Sequence, residues 1–362
     1  MTRFHGCILA ATLAAASTSG YAVEFPASVL TSTIWPIPTI EVCWENSSSS
    51  IATEMSWVKD AINRSWSANS SLVFTGWLSC PNQPIARQNI RIRVADDGAH
   101  TKGLGRELDG RPQGMLLNFT FATWNQSCAS RREECIRSIA IHEFGHAIGY
   151  SHEQNRPDSP AWCHAQSQGT PGDWHVTEFD MDSIMNYCNP KYNNNGQLSA
   201  ADIRGVKFLY PRLEVASLDT SSWYRLVARK SEQCIHVQGA SPERRMELWQ
   251  WQCETGPQFR FRFERLADGY FRIRSAYGKC FHVRTDVPQE RRAPLWQWEC
   301  EDGDQFKFEL LSAGDSWYMI RSKAGTCFHV RNGPTSTARE PLWSWECLNL
   351  PQFFFRLERV EA

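Results

Sequence analysis

The second half of the chain consists of three copies of one sequence pattern. Three aromatic pairs, Trp223-Tyr224, Tyr270-Phe271 and Trp317-Tyr318, mark equivalent positions 47 residues apart. Each copy contains a Cys-x-His-Val element, then Leu-Trp-x-Trp-x-Cys, and closes with Gln-Phe-x-Phe. Short aromatic and β-branched runs separated by turns at this period predict a closed all-β domain with threefold pseudosymmetry over residues 221–362.

The first half alternates between strand and helix patterns. Residues 39–44 have the composition of a strand, and residues 55–66 carry apolar side chains at helical spacing. Strand-like stretches follow at 72–78, 90–94 and 115–121, then a second helix at 135–148 and a last helix that begins at Ser199 and stops at Pro211. The pattern predicts an α+β domain over residues 35–212, joined to the repeats by a linker at 213–220.

The N-terminus has the features of a secretory signal. Arg3 and His5 precede an apolar, Ala-rich run at 7–16, and small residues lead to Ala22. The alternative, a transmembrane anchor, needs about 20 apolar residues, which this run does not provide. We therefore expect a signal at 1–22, a short segment at 23–34 and no membrane span in the remaining chain.

The number of cysteines is consistent with export. Removing Cys7 with the signal leaves twelve of the 13 cysteines, an even number that suits six disulfides in an oxidising compartment. Connectivity cannot be deduced from sequence alone. Proximity favours one disulfide inside each repeat, and Cys43–Cys80, Cys128–Cys135 and Cys163–Cys188 in the first half.

The charge balance argues against a polyanionic partner for the whole chain. Lys and Arg number 38 and Asp and Glu 39, which gives a net charge of −1. A chain of this kind has no global positive field to attract nucleic acid or an anionic membrane. We therefore expect no nucleic-acid partner.

One histidine pattern predicts a metal site. His142 and His146 are four residues apart in the second predicted helix, so both imidazoles share one face, with Glu143 beside them. Gly149 allows the chain to turn back and bring His152 to the same ion. Three nitrogen ligands leave one position of a Zn²⁺ ion open for water, and Glu143 can take the proton of that water. The alternative is a set of core histidines without a metal.

The string HEFGHAIGYSHE at 142–153, followed by Ser183-Ile-Met-Asn-Tyr187, resembles the metzincin clan of zinc peptidases, and specifically the astacin family. The resemblance covers roughly residues 35–212. It implies that Met185 lies beneath the zinc ion and that Tyr187 stabilises the oxyanion of the transition state. It also implies that residues 114–121 form the sheet edge that pairs with substrate.

The triplicated half resembles the ricin-type β-trefoil lectins. That resemblance implies sugar pockets with an aromatic platform, here Trp251, Trp298 and Trp345. Histidine replaces the pocket aspartate of those lectins in all three repeats, which weakens any galactose assignment. The three tryptophans could instead fill the barrel, and the trefoil would then be a packing or protein-docking module.

These patterns together predict a metzincin-type α+β catalytic domain followed by an all-β β-trefoil. The predicted protein is a secreted zinc endopeptidase with one catalytic Zn²⁺ ion. It would act on protein or peptide substrates and bind glycans or polysaccharide surfaces through the trefoil. The alternative is a carbohydrate-binding lectin or adhesin whose protease domain is vestigial.

Overall fold

The computed structural model describes residues 28–81, 89–175, 178–284, 292–331 and 339–361. The predicted signal at 1–22 and residues 23–27 of the segment after it lie outside these ranges. Within the described ranges, no helix combines the length and the apolar character needed to cross a membrane.

The first half is a mixed α/β domain around a five-stranded sheet. Strands β2, β3, β4 and β6 are parallel, and β5 is antiparallel to β6. Strands β1 and β7 form a separate antiparallel pair. The strands are β1 (Ser28–Val29), β2 (Thr39–Trp44), β3 (Val73–Ser79), β4 (Asn89–Val94), β5 (His100–Thr101), β6 (Met115–Leu117) and β7 (Trp174–His175), and the helices are α1 (Ala52–Ile62), α2 (Arg132–Ala147), α3 (Ala161–His164) and α4 (Ala200–Leu209).

The position of the sheet edge corrects one prediction. The sheet order is β3-β2-β4-β6-β5, so β5 is the edge strand, and β6 has neighbours on both sides. The prediction of an edge strand at 114–121 was therefore wrong. Strand β5 has two residues, His100 and Thr101, which is too short for an alternating pattern to be visible in the sequence.

Helix α2 is buried around most of its circumference. It contacts α1 and strands β5 and β6. Phe144 packs edge-to-face on Phe74, with ring centroids 5.2 Å apart, and stacks on Trp77 at 5.8 Å. The C-terminal half of α2 therefore lies in a water-poor interior, where polar side chains need partners or a function.

The second half is all-β and closed, as the triplication predicts. Strands β9, β12, β13, β17, β18 and β21 pair in sequence, and β21 returns to β9, so the ring has no open edge. Each repeat contributes two of these six strands. The strands are β8 (Glu214–Val215), β9 (Trp223–Ala228), β10 (Cys234–Val237), β11 (Met246–Trp251), β12 (Phe261–Arg265), β13 (Phe271–Ser275), β14 (Cys280–His282), β15 (Ala293–Pro294), β16 (Trp296–Trp298), β17 (Phe308–Ser312), β18 (Trp317–Ser322), β19 (Thr326–Val330), β20 (Glu340–Glu346) and β21 (Phe354–Val360).

All six predicted disulfides are formed. The first half contains three, and each repeat of the second half contains one that joins its two cysteines. The pairs are Cys43–Cys80, Cys128–Cys135, Cys163–Cys188, Cys234–Cys253, Cys280–Cys300 and Cys327–Cys347. The closed loops are short, so these bonds stabilise local structure within each domain.

The segment between the two halves is not a free linker. Strand β8 pairs with β17, where Val215 lies opposite Leu311. The Ala216 amide donates to the Leu310 carbonyl at 2.9 Å, and the Ala216 side chain is buried in the second core. The predicted linker at 213–220 is therefore packed against the second half at these residues. A two-residue strand leaves no periodic signal in the sequence.

The two halves also share an interface. Arg229, the residue after β9, lies over the Phe208 ring of α4, with Cζ 3.0 Å from the ring centroid, and donates to the Phe208 carbonyl at 2.8 Å. The Asn349 side chain donates to the Leu209 carbonyl at 2.9 Å. Phe208 and Leu209 belong to the same apolar cluster as Trp317 of the second half. The two domains therefore pack as one body.

This interface predicts a loss of stability when the second half is removed. A chain that ends at Leu213 exposes Phe208 and Leu209, and burying each such side chain contributes about 1.5–3 kcal/mol. We expect its melting temperature to fall by at least about 5 °C relative to the full chain. Calorimetry on both chains measures the effect. Two separate transitions in the full chain, one of them equal to that of the shortened chain, would contradict a shared interface.

Candidate metal centre

Three histidine side chains surround one point at the end of α2. His142 and His146 lie one turn apart on the helix. Gly149 has φ +105°, a conformation that side chains rarely adopt, and the chain reverses there. This reversal places His152 against the other two rings. The possible ligand atoms of the three histidines all lie within 4.8 Å of one another.

Backbone carbonyls determine which ring nitrogen carries the proton. Each Nδ1 lies next to a carbonyl oxygen, which can only accept, so Nδ1 is the protonated nitrogen and Nε2 has a free lone pair. The distances are 2.8 Å from His142 to Ile184, 2.9 Å from His146 to Tyr150, and 3.0 Å from His152 to Gln168.

The three Nε2 atoms form a cradle for a cation. His152 Nε2 lies 3.3 Å from His142 Nε2 and 3.1 Å from His146 Nε2. Two unprotonated nitrogens cannot hydrogen-bond to each other, and a cation between them would offset their mutual repulsion. Nitrogens bonded to a tetrahedral zinc ion at about 2.0–2.1 Å would be roughly 3.3 Å apart. The residues therefore fit Zn²⁺ in both type and spacing.

Burial keeps the imidazoles neutral. The exposed fractions of His142, His146 and His152 are 1%, 6% and 8%. Burial lowers the pKa of His142 to about 3 and also lowers the pKa of His146 and of His152. Neutral imidazole is the form that binds a metal ion.

Glu143 is a buried carboxyl beside this cradle. It is 3% exposed, and its Oε2 atom has no hydrogen-bond partner among the described residues. Burial raises the pKa of the Glu143 carboxyl to about 8. A buried oxygen without a partner is costly in a folded protein, so it indicates a function at this position.

Met185 packs against α2 and restricts the residue at position 145, between His142 and His146. A Cβ atom at Gly145 would overlap Met185 Sδ, so a larger residue there would displace the methionine. The Glu153 amide donates to the Met185 carbonyl at 3.0 Å and links this turn to the residue after His152. Gly145 therefore lets the helix approach the methionine turn closely.

Asp202 stabilises the turn that contains Met185 by accepting hydrogen bonds from the two residues before it. It accepts from the Ser183 hydroxyl at 2.8 Å and from the Ile184 amide at 2.9 Å, and it caps α4 through Ser199. Burial raises the pKa of Asp202 to about 6, although these donors favour the charged form. The sequence predicts the helix start at Ser199, but sequence reasoning did not assign Asp202 to this site. The only sequence signal for Asp202 is the Ser-x-x-Asp capping pattern at 199–202.

Tyr187 lies over the histidines on the solvent side. Its ring stacks on His142, with centroids 5.1 Å apart and planes 11° apart, and lies 4.5 Å from the His152 ring. The residue is 40% exposed. Burial and the neighbouring Glu143 carboxyl raise the phenol pKa. At neutral pH the phenol is therefore protonated and can donate.

A cleft of about 420 Å³ opens in front of these groups. The edge strand β5 forms one wall, and the segment that contains Gly169 forms part of the opposite side. Among the described strands, none pairs with the outer edge of β5. An extended peptide could add to this edge and pass in front of Glu143 and Tyr187.

The three predicted platform tryptophans lie far from this cleft, in the second half. Each is partly exposed and lies opposite the first cysteine of its own repeat in the antiparallel register. The pairs are Trp251 with Cys234, Trp298 with Cys280 and Trp345 with Cys327. Within the described residues, the histidines of the repeats form no second group of three metal ligands.

The closed ring of strands and its threefold repeat are matched by a known family. Residues 222–352 match the family model described as ricin-type beta-trefoil lectin domain. The second half is a ricin-type lectin domain. Its disulfide in each repeat and its lectin fold are consistent with an extracellular protein.

Other similarities are weaker. Flavastacin from Elizabethkingia meningoseptica is 23% identical over 202 residues, which are 45% of this chain and 46% of the relative. The chain thus spans less than half the length of that relative. The myroilysin structure is 22% identical, with a TM-score of 0.36, over 51% of this chain and 99% of that one. The designed threefold symmetric protein ThreeFoil is 23% identical, with a TM-score of 0.36, over 39% of this chain and 99% of that one.

Proposed function

We propose that this protein is an exported zinc endopeptidase of the astacin type, directed to its substrates by its lectin domain. The observation that carries the proposal is that the Nε2 atom of His152 lies 3.3 Å from that of His142 and 3.1 Å from that of His146, beside a buried carboxyl with one oxygen that has no partner among the described residues. The distant similarity to flavastacin supports a peptidase. Six disulfides support export.

His142, His146 and His152 would hold the ion. When bound there, zinc supplies a Lewis acid that polarises the substrate carbonyl and makes a water acidic near neutral pH. The Nδ1 bonds to backbone carbonyls fix the ring orientations, so the three nitrogens are preorganised.

Glu143 moves the proton in this proposal. Its unpartnered Oε2 takes a proton from the attacking water as the C–O bond forms at the peptide carbonyl. The same carboxyl then gives the proton to the leaving amide nitrogen as the C–N bond breaks. One water is consumed, and one carboxylic acid and one amine are produced, which at neutral pH are present as a carboxylate and an ammonium group.

The peptide would lie along β5 as an added antiparallel strand. Backbone hydrogen bonds to an edge strand bind an extended chain with little dependence on its sequence. In this proposal Tyr187 donates its phenolic hydrogen to the oxyanion that develops on the carbonyl oxygen.

The direct test uses the full chain purified with its disulfides intact. We expect about one zinc ion per chain by atomic emission and cleavage of a denatured protein that stops with 1,10-phenanthroline and returns with added zinc. Mass spectrometry of the peptides gives the cleavage preference. A chain that binds glycans but takes up no zinc and cleaves no protein would support the lectin or adhesin alternative.

Tyr187 provides a separate prediction. Tyr187→Phe keeps the ring on His142 and removes only the hydroxyl donor, so we expect kcat to fall about 10²-fold with unchanged zinc content. The control is Tyr277→Phe, because Tyr277 packs on the core of the lectin domain and is not among the residues that line the cleft. The control should stay within about twofold of the natural chain. Equal rates for Tyr187→Phe and the natural chain would remove Tyr187 from the mechanism.

A further inference from the structure

Three arginines repeat with the same period as the three platform tryptophans. Arg245, Arg292 and Arg339 are 47 residues apart, as are the tryptophans. Each guanidinium lies over the indole of the next repeat in cyclic order. The Cζ-to-centroid distances are 5.0 Å for Arg245 on Trp298, 4.1 Å for Arg292 on Trp345 and 4.5 Å for Arg339 on Trp251.

These arginines differ from Arg225 and Arg321 of the same domain. All three are exposed, and none forms an ion pair within the part of the chain that the structure describes. By contrast, Arg225 pairs with Glu358, and Arg321 pairs with Glu309. The three guanidinium groups that lie over the indoles are therefore available to a charged ligand.

The arrangement also affects what each indole can bind. A neutral sugar binds tryptophan by lying flat on the indole face. Here a guanidinium covers one face of each indole, and His282 and His329 lie near Trp298 and Trp345 with ring centroids 5.7 Å and 5.5 Å away. A guanidinium stacked on a ring keeps its N–H donors pointing outward, in the fork that matches a carboxylate or sulfate.

From these contacts we infer that the lectin domain binds an acidic polysaccharide, one that carries carboxylate or sulfate groups, at three equivalent Arg–Trp sites. The inference rests on the proposed glycan-binding function and specifies its ligand class. Each site is exposed and weak alone. Three sites on one rigid domain gain avidity on a polymer with repeating charges.

A polysaccharide fits better than nucleic acid because the domain matches a lectin family. Residues 221–362 carry 21 Lys and Arg against 18 Asp and Glu, which is a small excess. Binding should therefore depend on the three sites rather than on overall charge. It should also weaken with salt, since exposed charge pairs are screened.

The experiment uses the full chain with Glu143→Gln, which prevents self-cleavage. Retention is measured by affinity electrophoresis in dextran sulfate, polygalacturonate and uncharged dextran, at low and high salt. We expect retention in one or both acidic polymers and none in dextran. The sulfated and carboxylated polymers distinguish the two sources of negative charge.

Two triple variants separate the sites from general charge. Arg245→Gln with Arg292→Gln and Arg339→Gln should weaken retention at least about 10-fold, because three charge-assisted contacts are lost. The control replaces three other exposed arginines by glutamine and removes the same charge. Its positions are Arg265, Arg321 and Arg359. Near-native retention by the control supports the inference.

Several results would overturn it. Equal losses in both triple variants would mean nonspecific attraction. Retention in dextran with no preference for acidic polymers would refute the ligand class and leave the lectin function standing. No binding to any glycan on an array would refute both. Single-stranded DNA retained as strongly, with the same loss in the first triple variant, would assign the sites to nucleic acid.

Discussion

Glu143→Gln should reduce kcat by about 10²–10⁴-fold while zinc content stays the same as in the natural chain. Glutamine has the shape of glutamate, so the three histidines keep their positions. Its amide cannot accept the proton of the attacking water, and the step that Oε2 would perform is lost. Peptide cleavage under saturating substrate and atomic emission for zinc measure the two quantities on the same preparation.

The control for this variant is Glu134→Gln. Glu134 lies in the first turn of the same helix, where it pairs with Arg131, and its side chain is 51% exposed. Its loss removes one charge from α2 without touching the cleft, so the rate should be unchanged. If Glu143→Gln cleaved peptides as fast as the Glu134 variant, Glu143 would not be the base.

His152→Ala should lower zinc affinity by more than about 100-fold, since loss of an outer-sphere partner alone costs a metal site 10–100-fold. Two ligands on one helix then remain, and a catalytic zinc site needs three. Dialysis against a weak chelator followed by atomic emission measures the loss. Activity should disappear in parallel and return only at high added zinc.

His164→Ala is the matched variant for this experiment. His164 is an exposed histidine at the end of α3, and its ring contacts the Ser167 hydroxyl. The His164→Ala chain should retain its zinc fully. A His152→Ala chain that kept zinc as well as the His164→Ala chain would refute the third ligand.

Patterns with a regular period allowed the sequence to predict much of this structure. The 47-residue repeat predicted a closed all-β domain, and the closed ring and the family match confirm it. The cysteine pairings within repeats also form. The histidine spacing predicted that three imidazoles meet, and they do, although zinc binding itself stays a prediction.

Features set by tertiary contact could not be predicted in the same way. Strand β5 has two residues and exists because β6 offers it a partner. Asp202 reaches Ile184 across 18 residues, through a fold that no local pattern specifies. The stacking of Arg245 on Trp298 crosses from one repeat to the next, so the shared period is visible in the sequence but the contact is not.

For the surface-bound peptidase proposed above, the joint made by β8 and Arg229 would determine which peptide bonds the cleft can reach. A flexible linker would let the cleft reach substrates anywhere within a volume around its anchor, and the radius of that volume would grow with linker length. A cleft fixed to its anchor reaches only bonds at one distance and one orientation from the bound polymer. The spacing between glycan and peptide in the target would then select substrates, in addition to the sequence at the cleavage point.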